Sequence, residues 1–184
     1  LEAIEALHRC DIKAIADVVF NQKMGADETE DVIACEVYMN DRNVISGEPY
    51  NILAWTKFNF NNRSNKYSDF KWNWTHFHGV DWDDRGKKSA IFKFYGKNWD
   101  NDVDKENGNF DYLMGADVDL NNVDVVEELN NWGKWYLKFC DLDGFRLDAI
   151  KHMRESFFKN WVDNMQNSSD KDLFFVGEYW NNNI

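Results

Sequence analysis

One stretch towards the C-terminal end sets the architecture: DGFRLDAIKHMRESFFKNWVDNMQNSSDKDLFFVGEYW, residues 143–180. Its apolar segment at 145–150 predicts a strand, the aromatic stripe over 156–166 predicts a helix, and the apolar run at 173–176 predicts a second strand. A strand, a helix and a strand in this order form parallel neighbours in one sheet, joined by a helical crossover. The stretch therefore indicates an α/β fold.

The same alternation occurs earlier in the chain. Residues 1–9 predict a helix, residues 12–20 predict a strand buried on both faces, and residues 122–140 predict a helix that Asn121 or Asn122 can cap. The first helix begins on an apolar residue without a cap, so we interpret the chain as an internal piece of a longer protein.

A segment of about ninety residues, 22–112, separates the predicted strand at 12–20 from the next helix. This length far exceeds a normal loop, and the segment carries short aromatic runs and five tryptophans, which predicts a small β-rich subdomain with most of its tryptophans in a core. We therefore divide the chain into three parts, namely residues 1–21, residues 22–112 and residues 113–184.

Composition and charge exclude several classes of protein. The 184 residues include 33 Asp and Glu against 21 Lys and Arg, a net charge of −12, which offers no basic surface to nucleic acid or to an anionic membrane. Aromatic residues make up 16% of the chain, too many for a disordered protein. We expect neither a nucleic-acid nor a membrane partner.

The three cysteines match neither a disulfide framework nor a zinc pattern. We therefore expect reduced and mostly buried thiols. This expectation favours the cytoplasm as the location and leaves the extracellular space open.

Charged side chains follow two of the predicted strands. Arg146 and Asp148 share one strand face because side chains alternate along a strand, and Glu178 ends the next strand. Asp148 and Glu178 should lie on adjacent parallel strands, close to the separation of about 5 Å that is typical of retaining glycosidases. Arg146 would keep Asp148 ionised, as a nucleophile requires. The spacing alone also fits a structural Arg–Asp pair and a helix-capping Glu, and it favours that interpretation over the catalytic one.

A second group of residues is acidic and amide-rich. Oxygen ligands of this kind suit Ca²⁺, although an ordinary solvated acidic loop has the same composition. His76 and His78 could form half of a transition-metal site, but their pattern favours a surface or packing role. The acidic and amide group consists of Asn21, Asp111, Asp117 and Asp119.

Four motifs, in this order, carry a family resemblance: DVVFN (17–21), LMGADVD (113–119), DGFRLDAIKH (143–152) and VGEYW (176–180). The segments KMGAD (23–27) and YSDFKW (67–72) strengthen it. Together they resemble the α-amylase family of glycoside hydrolases, above all its bacterial liquefying and cytoplasmic members.

The resemblance implies part of a (β/α)₈ TIM barrel, from the third to the fifth strand, with a calcium-stabilised β-rich insert domain after the third strand. It implies that Asp148 is the nucleophile, that Glu178 is the acid/base, and that Arg146 holds Asp148. A third carboxylate of the family would lie beyond this chain. The isolated chain should therefore be inactive, and the parent protein should be a monomer.

Ligand roles are implied by the same resemblance. The residues expected to bind substrate are Lys151, His152, Asp17 and Trp180. The residues expected to bind calcium are Asn21, Asp111, Asp117 and the carbonyl of His152. Asp100 and Asp119 match the ligands of a second metal position in some members. Gln22 and His78 depart from the family, which has His at the first position and, in some members, Asp at the second.

The leading interpretation is endo-hydrolysis of α-1,4-glucosidic bonds in starch, glycogen or maltooligosaccharides with retention at the anomeric carbon. One alternative is another α-glucan-active enzyme of the family, either debranching or transglycosylating. The other is a non-catalytic, calcium-dependent carbohydrate-binding protein, which Gln22 keeps open.

Overall fold

The computed structural model describes residues 1–64 and 66–181 and contains two β-sheets, three α-helices and three short 3₁₀ helices within these ranges. No helix in the described residues is long and apolar enough to cross a membrane. The strands are β1 (Ile15–Val18), β2 (Gln22–Lys23), β3 (Glu28–Tyr38), β4 (Asp41–Ile45), β5 (Tyr50–Lys57), β6 (Phe77–Asp83), β7 (Lys88–Phe94), β8 (Ala116–Val118), β9 (Gly144–Leu147) and β10 (Phe174–Gly177). The helices are α1 (Glu2–Arg9), α2 (Val123–Cys140) and α3 (Glu155–Gln166).

The smaller sheet is parallel, with strand order β1-β9-β10. Helices α2 and α3 cover one face, where the Trp161 ring lies 5.0 Å from the rings of both Phe20 and Phe145. Ile15 and Val19 on the other face are 45% and 50% exposed. The prediction of a strand buried on both faces is wrong, because the described helices pack against one side of this sheet.

The larger sheet has the order β2-β8-β6-β7-β3-β4, with β5 also paired to β3, and its pairs are antiparallel. Strands β2 to β7 lie within residues 22–112, and β8 comes from beyond them. Trp72 and Trp99 are buried, whereas Trp55 and Trp82 are 43% and 37% exposed. The expected core therefore includes Trp72 and Trp99 but not Trp55 and Trp82.

The three cysteines are free thiols, as expected. Cys35 is buried and Cys140 is half-buried, but Cys10 is exposed, so the expectation of mostly buried thiols fails at that position. Cys10 directly follows α1, none of whose residues is buried.

Gly144 lets β9 approach β10 closely. A Cβ at this position would lie 1.9 Å from the carbonyl oxygen of Phe174, a backbone atom that cannot shift without disturbing the strand pairing. We expect Gly144→Ala to lower the free energy of unfolding of the full-length protein by about 3 kcal/mol, measured by urea denaturation. Gly47→Ala, whose Cβ meets nothing within 4 Å, is the matched control. Equal midpoints for the two variants would contradict this account.

Asp143 ties the start of the smaller sheet together. It accepts hydrogen bonds from the backbone N–H of Ala14 (2.8 Å), from His8 Nε2 (2.8 Å) and from Lys171 Nζ (3.0 Å). Burial raises the pKa of Asp143, but these bonds outweigh it and lower the pKa to about 2. A lowered pKa stabilises the fold above pH 4, and this contribution is lost as the pH falls from about 4 to about 2.

We therefore expect Asp143→Asn to destabilise the full-length protein by about 2 kcal/mol at pH 7 and by far less near pH 2, in urea titrations at both pH values. Asp141→Asn serves as the control. Asp141 also pairs with His8 and Lys171, but its side chain is 67% exposed, so its pairs contribute little. If Asp143→Asn lowered the free energy of unfolding by the same amount at both pH values, the lowered pKa of Asp143 would not be the source of the stabilisation.

Candidate active site and metal centre

The ends of β9 and β10 bring two carboxylates together. The backbone N–H of Glu178 donates to the carbonyl of Leu147 (2.9 Å), and the N–H of Ile150 donates to the carbonyl of Glu178 (3.0 Å). The first bond extends the pairing one residue past β10, and the second joins the turn after β9 to the same residue. Asp148 and Glu178, thirty residues apart in the chain, therefore lie side by side at the C-terminal edge of the smaller sheet.

Arg146 connects three carboxylates. Its Nη1 lies 2.6 Å from Asp148 Oδ1 and 2.7 Å from Asp17 Oδ1, and its Nη2 lies 2.6 Å from Glu178 Oε2. Hydrogen bonds to Asp17 and Asp148 raise the pKa of the guanidinium. A permanent positive charge therefore lies between the two candidate catalytic carboxylates.

Glu178 is also held from its other oxygen. The indole Nε1 of Trp180 donates to Glu178 Oε1 at 2.6 Å. This bond, together with the positive charge of Arg146, lowers the pKa of Glu178 below its ordinary value. Within the described chain, Glu178 therefore favours its ionised form.

A cleft of about 410 Å³ lies over this edge of the sheet, and its wall includes Asp148, Glu178, Lys151, His152 and Trp180. Three of the four predicted substrate contacts thus share one cavity with both carboxylates. The fourth, Asp17, is not part of this wall and contacts the guanidinium of Arg146 at 2.7 Å. Asp17 and the cleft residue Asp148 therefore share one guanidinium nitrogen.

Two of the cleft residues are positioned by the loop that precedes β8. Lys151 is buried and pairs with Glu106 at 2.5 Å, and His152 Nδ1 lies 2.7 Å from the carbonyl oxygen of Phe110. Burial lowers the pKa of His152, so its neutral form is favoured. The loop thereby links the larger sheet to the residues that follow β9.

A buried acidic cluster lies at strands β6 and β8 of the larger sheet, and His78 is at its centre. His78 Nδ1 lies 3.0 Å from Asp111 Oδ2 and 3.1 Å from Asp117 Oδ2, while its Nε2 lies 3.1 Å from Asp119 Oδ1. The ligand atoms of His78, Asp111 and Asp117 all lie within 4.8 Å of one another, close enough to share a metal ion. The structure therefore brings the predicted metal ligands Asp111, Asp117 and Asp119 together around a histidine.

Two further predicted ligands border this cluster. The backbone N–H of Asp100 donates to Asp111 Oδ2 at 2.9 Å, and the carbonyl of Asn21 accepts from the N–H of Val118 at 2.9 Å. Asp100 Oδ2 and Asn21 Nδ2 are buried and lack a hydrogen-bond partner within the described part of the chain. Asp100 Oδ2 is therefore available to a cation, whereas the Asn21 side chain would offer a cation its amide oxygen only after a flip of the amide.

Buried negative charge governs the electrostatics of the cluster. Burial and the neighbouring Asp111 raise the pKa of Asp100 to about 6, and burial raises the pKa of Asp117 well above its usual range. Burial opposes a charge on His78, but its bonds to the three carboxylates raise its pKa well above the ordinary value. The cluster therefore favours a positive charge at its centre.

The prediction of a surface or packing role needs correction for one histidine. His76 packs against the rings of Phe70 and Trp72, as a packing role requires. His78 is 1% exposed and contacts carboxylates through both ring nitrogens. The signal that could have identified His78 was the family resemblance, which implies an aspartate near a second metal position at this place in some members.

Comparisons with known proteins give consistent matches. The chain is 53% identical over 186 residues to an α-amylase of Geobacillus stearothermophilus, covering 100% of this chain and 34% of the relative. It is 53% identical over 183 residues to an α-amylase of Bacillus licheniformis, covering 99% and 36%. It is 42% identical over 188 residues to a cytoplasmic α-amylase of Escherichia coli (strain K12), covering 100% and 38%.

A solved α-amylase structure from Anoxybacillus shares the fold, with a TM-score of 0.54 at 21% identity, covering 99% of this chain and 28% of that one. A scan against models of protein families finds no match. The chain spans about a third of the length of the curated relatives that it matches. Identities of 42–53% along the whole chain place it in one family: the chain belongs to the α-amylase family of glycoside hydrolases.

Proposed function

We propose that the full-length protein hydrolyses α-1,4-glucosidic bonds within starch- or glycogen-type glucans and retains the anomeric configuration. The observation that carries this proposal is the pair Asp148 and Glu178 on one guanidinium, at the ends of neighbouring parallel strands. The shared guanidinium keeps the two carboxylates near each other, which suits the separation of about 5 Å that is typical of retaining enzymes.

In the first step, an oxygen of Asp148 attacks the anomeric carbon and the glucosidic C–O bond breaks. Glu178 gives its proton to the departing oxygen, and a glycosyl ester forms on Asp148. Arg146 holds Asp148 for the attack, because its guanidinium binds the carboxylate at 2.6 Å. In the second step, water attacks the same carbon while Glu178 takes its proton, and Asp148 leaves as a carboxylate.

Glu178 must be protonated for the first step, whereas the contacts in the described chain lower its pKa. A further carboxylate near Glu178 would raise this pKa, since like charges disfavour ionisation. The third carboxylate of the family, which the resemblance places outside this chain, would have that effect. The proposed acid role therefore depends on the full-length protein, and we expect the isolated chain to be inactive.

The proposed fold of the parent is a (β/α)₈ barrel that contains the smaller sheet as its third to fifth strands, with residues 22–112 as an insert domain. In such barrels the active site lies at the C-terminal ends of the strands. The positions of Asp148 and Glu178 support this arrangement, and so does the Anoxybacillus fold match.

Calcium fits one side of the acidic cluster. His78 and the N–H of Asp100 contact the Oδ2 atoms of Asp111 and Asp117, so each carboxylate can still offer its Oδ1 atom. Asn21, whose buried amide nitrogen lacks a partner in the described residues, can turn its amide oxygen inwards, and the carbonyl of His152 would complete an all-oxygen set of the kind that Ca²⁺ prefers. Bound calcium would supply positive charge to these buried carboxylates and join the two sheets.

The activity is tested with the full-length protein on amylose and on pullulan, with calcium and after chelation. We expect internal cleavage of amylose and product that is first released as the α-anomer, seen by proton NMR. Cleavage of the α-1,6 bonds of pullulan, or transfer to a sugar acceptor, would favour the related α-glucan enzymes. A folded protein that binds starch and releases no sugar would favour the carbohydrate-binding alternative.

We also propose that the protein acts in the cytoplasm as a monomer. Its exposed free thiol at Cys10 suits a reducing compartment, and one relative is named a cytoplasmic α-amylase. Cell fractionation and light scattering would test these two statements.

A further inference from the structure

His78 lies between two buried carboxylates and contacts their Oδ2 atoms, whereas their Oδ1 atoms are the ones assigned to calcium. Its Nδ1 atom is 3.0 Å from Asp111 Oδ2 and 3.1 Å from Asp117 Oδ2, and the three side chains are 1%, 4% and 2% exposed. Two ligand atoms of a tetrahedral zinc ion are separated by roughly 3.3 Å. The three atoms therefore lie close to the spacing of ligands that share one ion.

The other ring nitrogen has a partner that orients the imidazole. His78 Nε2 is 3.1 Å from Asp119 Oδ1, and Asp119 Oδ2 pairs with Lys97 Nζ at 2.6 Å. A carboxylate that accepts the Nε2–H proton leaves the lone pair of Nδ1 free to bind a metal, which is the usual orientation of metal-bound histidines. The lone pair of His78 would then point between Asp111 and Asp117.

A further oxygen supports a site for an ion. Asp100 is 3% exposed, and its Oδ2 atom has no hydrogen-bond partner among the described residues. Together with His78 and Asp119, this residue lines a cavity of about 390 Å³. A buried carboxylate oxygen without a partner costs free energy unless a cation or a donor satisfies it. Asp100 therefore offers a fourth ligand on the cavity side.

We propose that His78, Asp111 and Asp117 bind a divalent transition-metal ion of the zinc class, at a position next to the proposed calcium and distinct from it. Imidazole nitrogen is a preferred ligand of zinc, cobalt, nickel and copper, whereas calcium takes oxygen ligands. The two carboxylates would use their Oδ2 atoms here and their Oδ1 atoms for calcium. The proposal concerns binding and holds whether or not the protein hydrolyses glucans.

The test uses the full-length protein, freed of metal by chelation and then titrated with Co²⁺ in the presence of excess Ca²⁺. We expect one equivalent of Co²⁺ to bind and to give the visible absorption of a nitrogen-ligated ion. His78→Asp, which makes the site all-oxygen, should abolish that absorption. Asp119→Asn should weaken Co²⁺ binding 10- to 100-fold, because it removes the group that orients the imidazole.

The matched control is His8→Asn. His8 also pairs with two carboxylates, Asp141 and Asp143, but at the start of the smaller sheet. This variant should leave the Co²⁺ titration unchanged, which separates the buried site from surface binding.

A measurement on the unchanged protein covers the case in which the His78 variant does not fold. With ¹⁵N-labelled histidine, Zn²⁺ should shift one Nδ1 resonance and leave the Nε2 resonance of the same ring protonated. Absence of Co²⁺ binding, unchanged binding in a folded His78→Asp protein, or ring resonances that Zn²⁺ does not move would each overturn the proposal.

Discussion

Replacing Asp148 by Asn in the full-length protein should lower kcat for starch hydrolysis by about 10⁴- to 10⁶-fold, the range found when other hydrolases lose a nucleophile or its partner. The amide has nearly the shape of the carboxylate but cannot attack the anomeric carbon to form the glycosyl ester. Asp148 lies beside Arg146 with its side chain 24% exposed, so the fold should tolerate the change. Reducing-sugar release measures the rate, and a thermal melt checks the fold.

Asp17→Asn is the matched control for this variant. Asp17 accepts from the same guanidinium, at 2.7 Å, but its side chain is 65% exposed and lies outside the cleft. We expect a far smaller loss of kcat, since this residue acts through Arg146 alone. Similar losses in both variants would mean that the arginine network, rather than a nucleophile, accounts for the effect of Asp148.

Replacing Glu178 by Gln should lower kcat on starch by about 10²- to 10⁴-fold, the usual contribution of a general acid or base. The decrease in the rate of glycosyl-enzyme formation should depend on how readily the leaving group departs without a proton. An aryl maltoside with an acidic phenol departs without a proton, so formation of the glycosyl-enzyme should be almost unaffected. A burst of phenol followed by slow turnover would therefore be seen in stopped-flow absorbance.

Glu106→Gln provides the comparison for Glu178→Gln. Glu106 lines the same cleft but pairs with Lys151 at 2.5 Å and has no contact with the described carboxylate pair. Its variant should change KM more than kcat and should show no burst. If Glu178→Gln lost as much rate on the aryl maltoside as on starch in the first step, the acid role would be refuted.

The helices and the smaller sheet could be predicted from the sequence because their signals are local. The helix predicted at residues 122–140 is α2, capped by Asn122 as one of two expected options, and the predicted helix at 156–166 is α3 with one more residue. The strand predicted at 145–150 ends earlier, at Leu147, because Ala149 adopts a left-handed conformation and a 3₁₀ turn follows. The periodicity of apolar residues therefore predicts where a helix or strand lies more accurately than the residue at which it ends.

The larger sheet could not be derived in the same way. Its strands pair across long separations, such as Gln22 with Asp117 in β2 and β8. Such a register depends on tertiary packing rather than on local pattern. The sequence therefore indicated a β-rich segment but neither its strand order nor the inclusion of β8.

In the candidate site, too, residues placed by local pattern could be predicted and residues placed by long-range contacts could not. Arg146, Asp148 and Glu178 could be placed together because strand alternation and one strand–helix–strand unit determine their positions. His78 could not, because its contacts with Asp111 and Asp117 join a strand of the larger sheet to residues more than thirty positions away. Its residue type alone suggested packing, and only the three-dimensional arrangement reveals the carboxylates around it.

The most direct test of the central claim is to trap the glycosyl-enzyme. The full-length protein is incubated with a fluorinated maltosyl fluoride, which forms the covalent intermediate faster than water removes it, and its peptides are analysed by mass spectrometry. The account predicts one maltosyl group on the peptide that contains Asp148, and none on the Asp148→Asn protein. A label on another residue, or an active protein that takes no label and releases the β-anomer, would contradict it.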